Sequence, residues 1–373
     1  VKTLHGTGSW DEWHQFLKTH QRAKILVIQR DNIGDLVLTT PLLRSLRVAL
    51  PLAQIDVLSN SYNAPVLAGN SAISHHFWYT KLKHRAKHQS ALRVTFDNWQ
   101  LRARLRRQGY DLAIITATSL SSHALRLARS CRPKRCAAFA NPIDAALKGI
   151  DLAIDPQKVD AHAVMAQRAM LDHLLPEEML ARLASEPPPC EVSVDAATRE
   201  TIAGHLGIQT NRKLVAFHVS ARKVDQRWSA ERFAELMRRV HEELKAELLL
   251  LWAPGSSENP LHPGDDEKAE EISALLSDLP VKSYATTTLS ELIAVLSLAD
   301  LVVLSDGGAM HLAAALQKPL VCMFGNSDPN VWRAWRTPQA VLRDSSNRVA
   351  ALSVERVFRE IGPLLAPPIT PSL

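Results

Sequence analysis

A chain of 373 residues with 46% hydrophobic and 22% charged residues has the make-up of a soluble globular protein, long enough for two domains of the usual ~100–200 residues. No apolar run approaches the ~20 residues that a membrane span needs, and the N-terminal stretch, interrupted by Asp11, Glu12 and His14, does not read as a secretory signal. The net charge of +6 is unevenly spread: residues 77–108 hold nine Lys/Arg against the single Asp97, a local +8 that leaves the remainder at −2.

In chain order, Trp10, Trp13, Phe16 and Leu17 open with a helical pattern, followed by an apolar strand over residues 24–29. The loop Arg30-Asp31-Asn32-Ile33-Gly34-Asp35 leads into a long helix expected over residues 36–50, with Pro41 tolerated only near its first turn. Residues 55–59 and 111–116 are further strands. Short apolar strands alternating with helices indicate a parallel sheet covered on both faces. The first strand–helix turn lacks Gly-x-Gly-x-x-Gly, which speaks against a nicotinamide-dependent oxidoreductase. It does offer Asp35, a carboxylate at a helix start beyond the end of a parallel strand, where ligands of such sheets sit. Asp35 is a candidate general base, its ionised form favoured by the helix dipole; an ordinary N-terminal Asp is the plainer alternative.

Residues 77–108 interleave Phe77, Trp78, Tyr79 and Trp99 with Lys81, Lys83, Arg85, Lys87, Arg93, Arg102, Arg104, Arg106 and Arg107. Such a mixture suits an anionic interface, a phospholipid surface or a phosphorylated glycolipid, at up to ~1 kcal/mol per basic residue. Nucleic acid competes as a partner, and a solvated helix face is the bland alternative. His75-His76 and His84/His88 read as surface histidines. Four scattered cysteines make neither a disulfide framework nor a zinc site, so free thiols are expected.

Pro187-Pro188-Pro189 makes a stiff linker, after which the alternation starts again. Residues 213–219 form a strand, and Ser229 can cap a helix over residues 230–244. Residues 247–252 form a strand, and Thr288 with Glu291 makes a capping box for a helix over residues 289–298. The strand over residues 301–304 leads into Ser305-Asp306-Gly307-Gly308-Ala309-Met310-His311, a helix, and a last strand over residues 320–325. Glycines let backbone approach a ligand, and free N–H groups at a helix start attract anions, so a diphosphate would fit there with Asp306 and His311 nearby. A turn that needs small residues for packing is the alternative.

Two more loops follow strand ends in this half. Ser220-Ala221-Arg222-Lys223 to Gln226-Arg227-Trp228 brings three cations that can neutralise a leaving diphosphate. In the loop over residues 252–260, Glu258 can accept hydrogen bonds from ribose hydroxyls, or it is a surface turn. Asp265-Asp266-Glu267 reads as a helix start, because acidic residues favour the first turn. No Asp-x-Asp stands at a strand end and no His/Cys cluster has ligand spacing, so catalysis without a metal is the simpler reading.

Together these residues resemble the heptosyltransferases of glycosyltransferase family 9, which build the inner core of bacterial lipopolysaccharide. Residues 30–41 look like the family's N-terminal signature; Asp306 to His311 with Lys318-Pro319 and Phe324-Gly325 look like its C-terminal one. Ser220 to Lys223 with Arg227-Trp228 is similar to the central donor loop, and the likeness runs from about residue 24 to 330. The resemblance implies an α/β GT-B fold, two Rossmann-like domains facing across a cleft. The acceptor domain would be residues 1–186 and the nucleotide-sugar domain residues 190–350. A C-terminal helix and tail over 351–373 would return to the first.

The resemblance also implies inverting, metal-independent transfer of heptose from ADP-L-glycero-β-D-manno-heptose, with no cofactor. Asp35 would be the base, and Asp306, Gly307, Gly308, Ala309, His311 and Ser220 would hold the donor's diphosphate and sugar. Glu258 would face the ribose. Where many members carry Lys before the Arg/His-Trp pair, this chain has Gln226, and Lys223, or Arg222 and Arg227, can replace that cation. Lys81, Lys83, Arg85, Lys87, Arg102 and Arg104 would dock a lipid A–Kdo type glycolipid on the inner leaflet, and nucleic acid falls away. The expected place is cytoplasmic, peripheral to the inner face of the membrane. Alternatives are another nucleotide sugar on the same fold, or a non-catalytic glycolipid- or nucleotide-binding homologue, which Gln226 favours.

Overall fold

The strand Lys24–Ile28 (β1) is apolar at its four successive positions after Lys24 because both of its faces are covered, as in central strands of parallel sheets. In the computed structural model, which describes residues 10–366 apart from 21, 83–89, 118, 120, 142, 144–148, 160, 161, 209, 210 and 259–263, the chain divides into two units, Val1–Ser193 and Val194–Leu373.

The first unit begins with helix Trp10–Thr19 (α1) and β1, and then two helices, Ile33–Val37 (α2) and Thr40–Ala49 (α3). The single long helix expected over residues 36–50 is thus corrected. Pro41 has no N–H for the Val37 carbonyl and its ring crowds that group. The Thr40 hydroxyl donates to the Val37 oxygen at 2.7 Å instead. Gln54–Asn60 (β2), His75–Tyr79 (β3), Leu112–Ile115 (β4), Cys136–Phe139 (β5) and Leu152–Ile154 (β6) complete the sheet. The connecting helices are Ala91–Gln108 (α4) after β3 and Ser122–Ser130 (α5) after β4. All pairs are parallel, in the order β3-β2-β1-β4-β5-β6. Helices Ala163–Leu174 (α6) and Glu177–Leu180 (α7) close the unit.

The expected linker at residues 187–189 lies a little before the division. Cys190 is buried, the Glu191 N–H donates to the Thr40 hydroxyl at 3.0 Å, and the Glu191 carboxylate meets Arg44 at 3.1 Å and the Asn70 amide at 3.1 Å. These contacts bind residues 190–191 to the first unit.

The second unit repeats the design. Ala196–Leu206 (α8) precedes Leu214–His218 (β7), Ala230–Leu244 (α9), Glu247–Trp252 (β8), Asp266–Leu275 (α10) and Val281–Ala285 (β9). Then come Leu289–Leu298 (α11), Leu301–Ser305 (β10), Gly308–Ala315 (α12), Leu320–Phe324 (β11), Pro329–Trp332 (α13), Gln339–Arg343 (β12) and Val354–Leu365 (α14). The order is β12-β11-β10-β7-β8-β9, all parallel. Ser229 caps α9, and Thr288 with Glu291 forms the capping box of α11, as read from the sequence. The last helix is a correction: α14 sends Val354, Val357 and Ile361 into the core built around Phe217, Trp228, Phe233 and Met323. It belongs to the second unit.

In each unit the strand order reverses at the first strand, between β1 and β4 and between β7 and β10. Chains leaving adjacent strands there turn opposite ways and open a crevice at the carboxyl ends.

Candidate functional site

Asp35 stands beyond the carboxyl end of β1, in the first turn of α2. The Asn32 backbone N–H donates to its carboxylate at 3.0 Å, fixing the side chain over the helix start. Burial pushes the Asp35 carboxyl above the usual carboxylate range; the Asn32 N–H opposes this and the charge of Asp31 adds to it. The expected lowering by the helix dipole is therefore outweighed. With five residues α2 sums few peptide dipoles, and desolvation of the carboxylate is the larger effect.

What holds the Asp35 loop was not visible beforehand. Asn60, buried at the end of β2, donates its amide to the carbonyls of Arg30 and Asp31, both at 3.0 Å, and accepts from the N–H groups of Tyr62 and Asn63. Gln29 accepts from the Asp31 N–H at 3.1 Å. Arg30 donates to the Tyr79 hydroxyl at 3.1 Å and the Ser121 hydroxyl at 3.2 Å, linking the loops that follow β1, β3 and β4. Lys81, placed with the basic docking face by the sequence, is half-buried and donates to the Arg30 carbonyl at 2.7 Å. Asn60 with Asn63 is a turn-residue pair directly after a strand, the signal that could have marked this clamp. Replacing Asn60 by Leu takes one donor from each of the two carbonyls and the side-chain acceptor from the Tyr62 and Asn63 N–H groups, and is expected to cost about 1–3 kcal/mol of stability, read from denaturant midpoints.

Of the remaining basic residues, Arg102 and Arg104 are exposed on α4, and the Arg104 guanidinium lies 5.1 Å from the centre of the Phe77 ring. Phe77 is buried and Tyr79 half-buried, so neither belongs to an outer face; Trp78 and Trp99 are exposed. Lys83, Arg85 and Lys87 lie outside the described residues, as do His84 and His88. The reading of His75-His76 as surface histidines holds for His75, which is exposed although it bonds the fully buried Asp56 at 2.9 Å, and is corrected for His76. His76 meets the Ser59 hydroxyl at 2.8 Å, its pKa lowered by burial to about 4.

In the second unit three loops meet beyond β7, β10 and β11. Asp306 follows β10, its N–H bound to the Met323 carbonyl at 2.9 Å. Gln226, buried, donates to the Asp306 carboxylate at 2.8 Å and to the Ser327 hydroxyl at 3.3 Å. Lys223 reaches the same Ser327 hydroxyl at 3.3 Å. Burial raises the Asp306 pKa, opposed by the Ser327 hydroxyl and the Lys223 charge. α12 starts at Gly308, so the backbone N–H groups of Gly308 and Ala309 are free of helix bonds. A Cβ placed on Gly307 meets no atom within 4 Å among the described residues, so space lies open before that helix start. His311 is buried one turn further on.

Lys223 is the cation whose charge Asp306 feels; Arg222 is exposed, and Arg227 turns its guanidinium to the Ala221 carbonyl at 3.1 Å. The Ser220 hydroxyl accepts from the Ala253 N–H at 2.9 Å, joining the loops after β7 and β8. Glu258 is exposed in a turn beyond β8, with its N–H bound to Ser256. A buried histidine and a half-buried lysine carry no signal in the sequence. Burial lowers the His218 pKa to about 4, and lowers that of Lys268, which donates to the Val219 carbonyl at 3.0 Å, to about 8. Gly325 is required by contact: a Cβ there would come 2.4 Å from the Asp225 carboxylate and 2.7 Å from its carbonyl oxygen. Gly325→Ala must push back the 3-10 turn Val224–Gln226, and is expected to cost about 1–3 kcal/mol, read as a fall in thermal midpoint.

The arrangement can hold an anion at a helix start beside a lysine, and in the first unit can take a proton at a desolvated carboxylate. Comparison with known proteins gives this chemistry a context. The model of glycosyltransferase family 9 (heptosyltransferase) matches residues 98–360. The chain is 26% identical over 304 residues to lipopolysaccharide heptosyltransferase 3 of Escherichia coli, covering 81% of this chain and 83% of that protein. Its fold is similar to that of a family 9 glycosyltransferase from Veillonella parvula, with a TM-score of 0.74 at 18% identity over 92% of this chain and 97% of the other. It is also similar to the ADP-heptose lipopolysaccharide heptosyltransferase II of E. coli, with a TM-score of 0.70 at 19% identity over 92% and 98% of the two chains. The fold is GT-B, with two Rossmann-like units. With its family model matched over more than half its length, this chain belongs to glycosyltransferase family 9, and it is a glycosyltransferase.

Proposed function

We propose that the protein transfers heptose from ADP-L-glycero-β-D-manno-heptose to the inner core of a lipopolysaccharide precursor, a lipid A–Kdo type glycolipid, inverting the anomeric carbon. The observation that carries this reading is the convergence of Asp306, the start of α12 and Lys223 beyond β10, β7 and β11. A diphosphate placed before Gly308 receives backbone N–H groups and a positive side chain, which stabilise the charge that develops as ADP departs. Lys223 and the helix start supply that positive charge in this reading, and no metal is invoked. Asp35 removes the acceptor hydroxyl proton as the oxygen attacks the anomeric carbon. The names of the relatives support both the donor and the acceptor.

Among the described residues no helix is long and apolar enough to cross a membrane. In this proposal the protein works peripherally at the cytoplasmic face, with Arg102 and Arg104 towards anionic headgroups. The test is a transfer assay on the glycolipid acceptor with ADP-heptose, UDP-sugars and GDP-sugars supplied separately. Product with ADP-heptose alone supports the reading. Product with another nucleotide sugar names a different donor, and binding without product makes the chain a glycolipid- or nucleotide-binding homologue.

A further inference from the structure

Helix α4 presents an apolar stripe to solvent on the side opposite its packed face. Val94 and Leu105 are its buried side chains, whereas Leu92, Phe96 and Trp99 are 83%, 55% and 62% exposed. At 100° per residue the positions i, i+4 and i+7 fall within an arc of about 60°, so the three form one ridge. Phe96 and Trp99 stack at 6.0 Å between ring centres. Five arginines against Asp97 make the helix strongly basic, and Arg93, Arg102 and Arg107 are exposed along it. An isolated exposed side chain would need no explanation. A continuous Leu-Phe-Trp ridge on a helix this basic is the pattern of a segment lying in a membrane interface.

Its place in the fold adds to this. Because α4 leaves the carboxyl end of β3, its first turns lie at the rim of the sheet from which the Asp35 loop also emerges. The Asn98 side chain accepts from the Thr80 N–H at 3.1 Å and donates to the Thr80 carbonyl at 2.9 Å. The next residue, Lys81, donates to the Arg30 carbonyl of the Asp35 loop. Hydrogen bonds therefore run from the residue beside Trp99 to the loop that positions the carboxylate.

We propose that Leu92, Phe96 and Trp99 insert as a wedge into the interface of an anionic phospholipid bilayer, with α4 lying in the membrane plane and the Asp35 loop held at headgroup level. The inference rests on the proposed transfer to a lipid-borne acceptor, whose reacting hydroxyl lies just outside the bilayer. It differs from charge-driven docking, because attachment by arginines alone disappears when salt shortens the screening length to ~3 Å at 1 M.

The test uses the full chain and vesicles of phosphatidylcholine with phosphatidylglycerol, without sugar substrate. Flotation at low salt and at about 1 M salt is compared for the parent protein and for the combined variant Leu92→Gln, Phe96→Gln, Trp99→Gln. The parent is expected to stay bound at high salt, and the variant to lose at least about 10-fold in affinity, since binding scales with buried apolar area. Brominated lipids should quench parent fluorescence more than that of Trp99→Phe. Release of the parent by salt, equal binding of the variant, or no vesicle binding at all would overturn the wedge. So would a parent dimer that the triple substitution dissociates, since a second copy would then cover the ridge. Transfer to a short-chain soluble acceptor, measured on the same variant, should be unchanged. If that transfer fails in the parent, the reading of function falls while the vesicle result still stands.

Discussion

Asp35→Asn is expected to slow sugar transfer by about 10²–10⁴-fold while leaving donor binding as it was. The amide keeps the size of the side chain but cannot accept the acceptor's proton, and residue 35 is in the first unit whereas the donor loops are in the second. Burial raises the Asp35 pKa, so the acid limb of kcat/KM should lie above the ordinary carboxylate value of 3.8 and be absent in the variant. With the folded pKa raised, the folded state holds more protons than the unfolded state between 3.8 and that higher value, and stability falls as pH rises through this window. At neutral pH the ionised carboxylate thus destabilises the fold, and Asp35→Asn should melt no lower than the parent. Near-normal turnover, or a collapse of the thermal midpoint, would remove Asp35 from the role of base.

Lys223→Met is expected to have the second largest effect, a loss of about 10²-fold in kcat/KM for the donor, comparable to removing one group that stabilises transition-state charge. Gln226 is occupied with Asp306 and Ser327, and Lys223, which reaches the same Ser327 hydroxyl, is the cation beside Asp306. Arg222→Met should change little. Arg227→Met should act mainly on stability, because its guanidinium holds the Ala221 carbonyl. Steady-state kinetics over a range of donor concentrations, with calorimetry of ADP binding, separates the three. A larger loss at Arg222 than at Lys223 would reassign the phosphate ligand.

The central strands were legible because a strand buried on both faces writes an unbroken apolar run, as in residues 25–28, 248–252 and 301–304. β3 was hidden because an edge strand with exposed histidine and tryptophan carries no such run, and β5 and β6 are too short to stand out. Asp35 and Asp306 could be picked out because glycine, carboxylate and helix start follow a strand in sequence. Asn60, His218 and Lys268 could not, since their roles come from partners brought near by folding. The break between α2 and α3 turned on Pro41, whose consequence depends on where the helix begins. The placing of α14 was a question of tertiary packing that its own pattern does not answer.

Nuclear magnetic resonance of the product formed from ADP-L-glycero-β-D-manno-heptose and the glycolipid acceptor tests the account most directly. Attack by an oxygen that Asp35 has deprotonated, in line with a departing diphosphate, converts the β donor into an α-linked heptose. An α linkage, lost in Asp35→Asn, is the predicted result. A β linkage, or α-linked product formed equally well without the Asp35 carboxylate, would contradict the account.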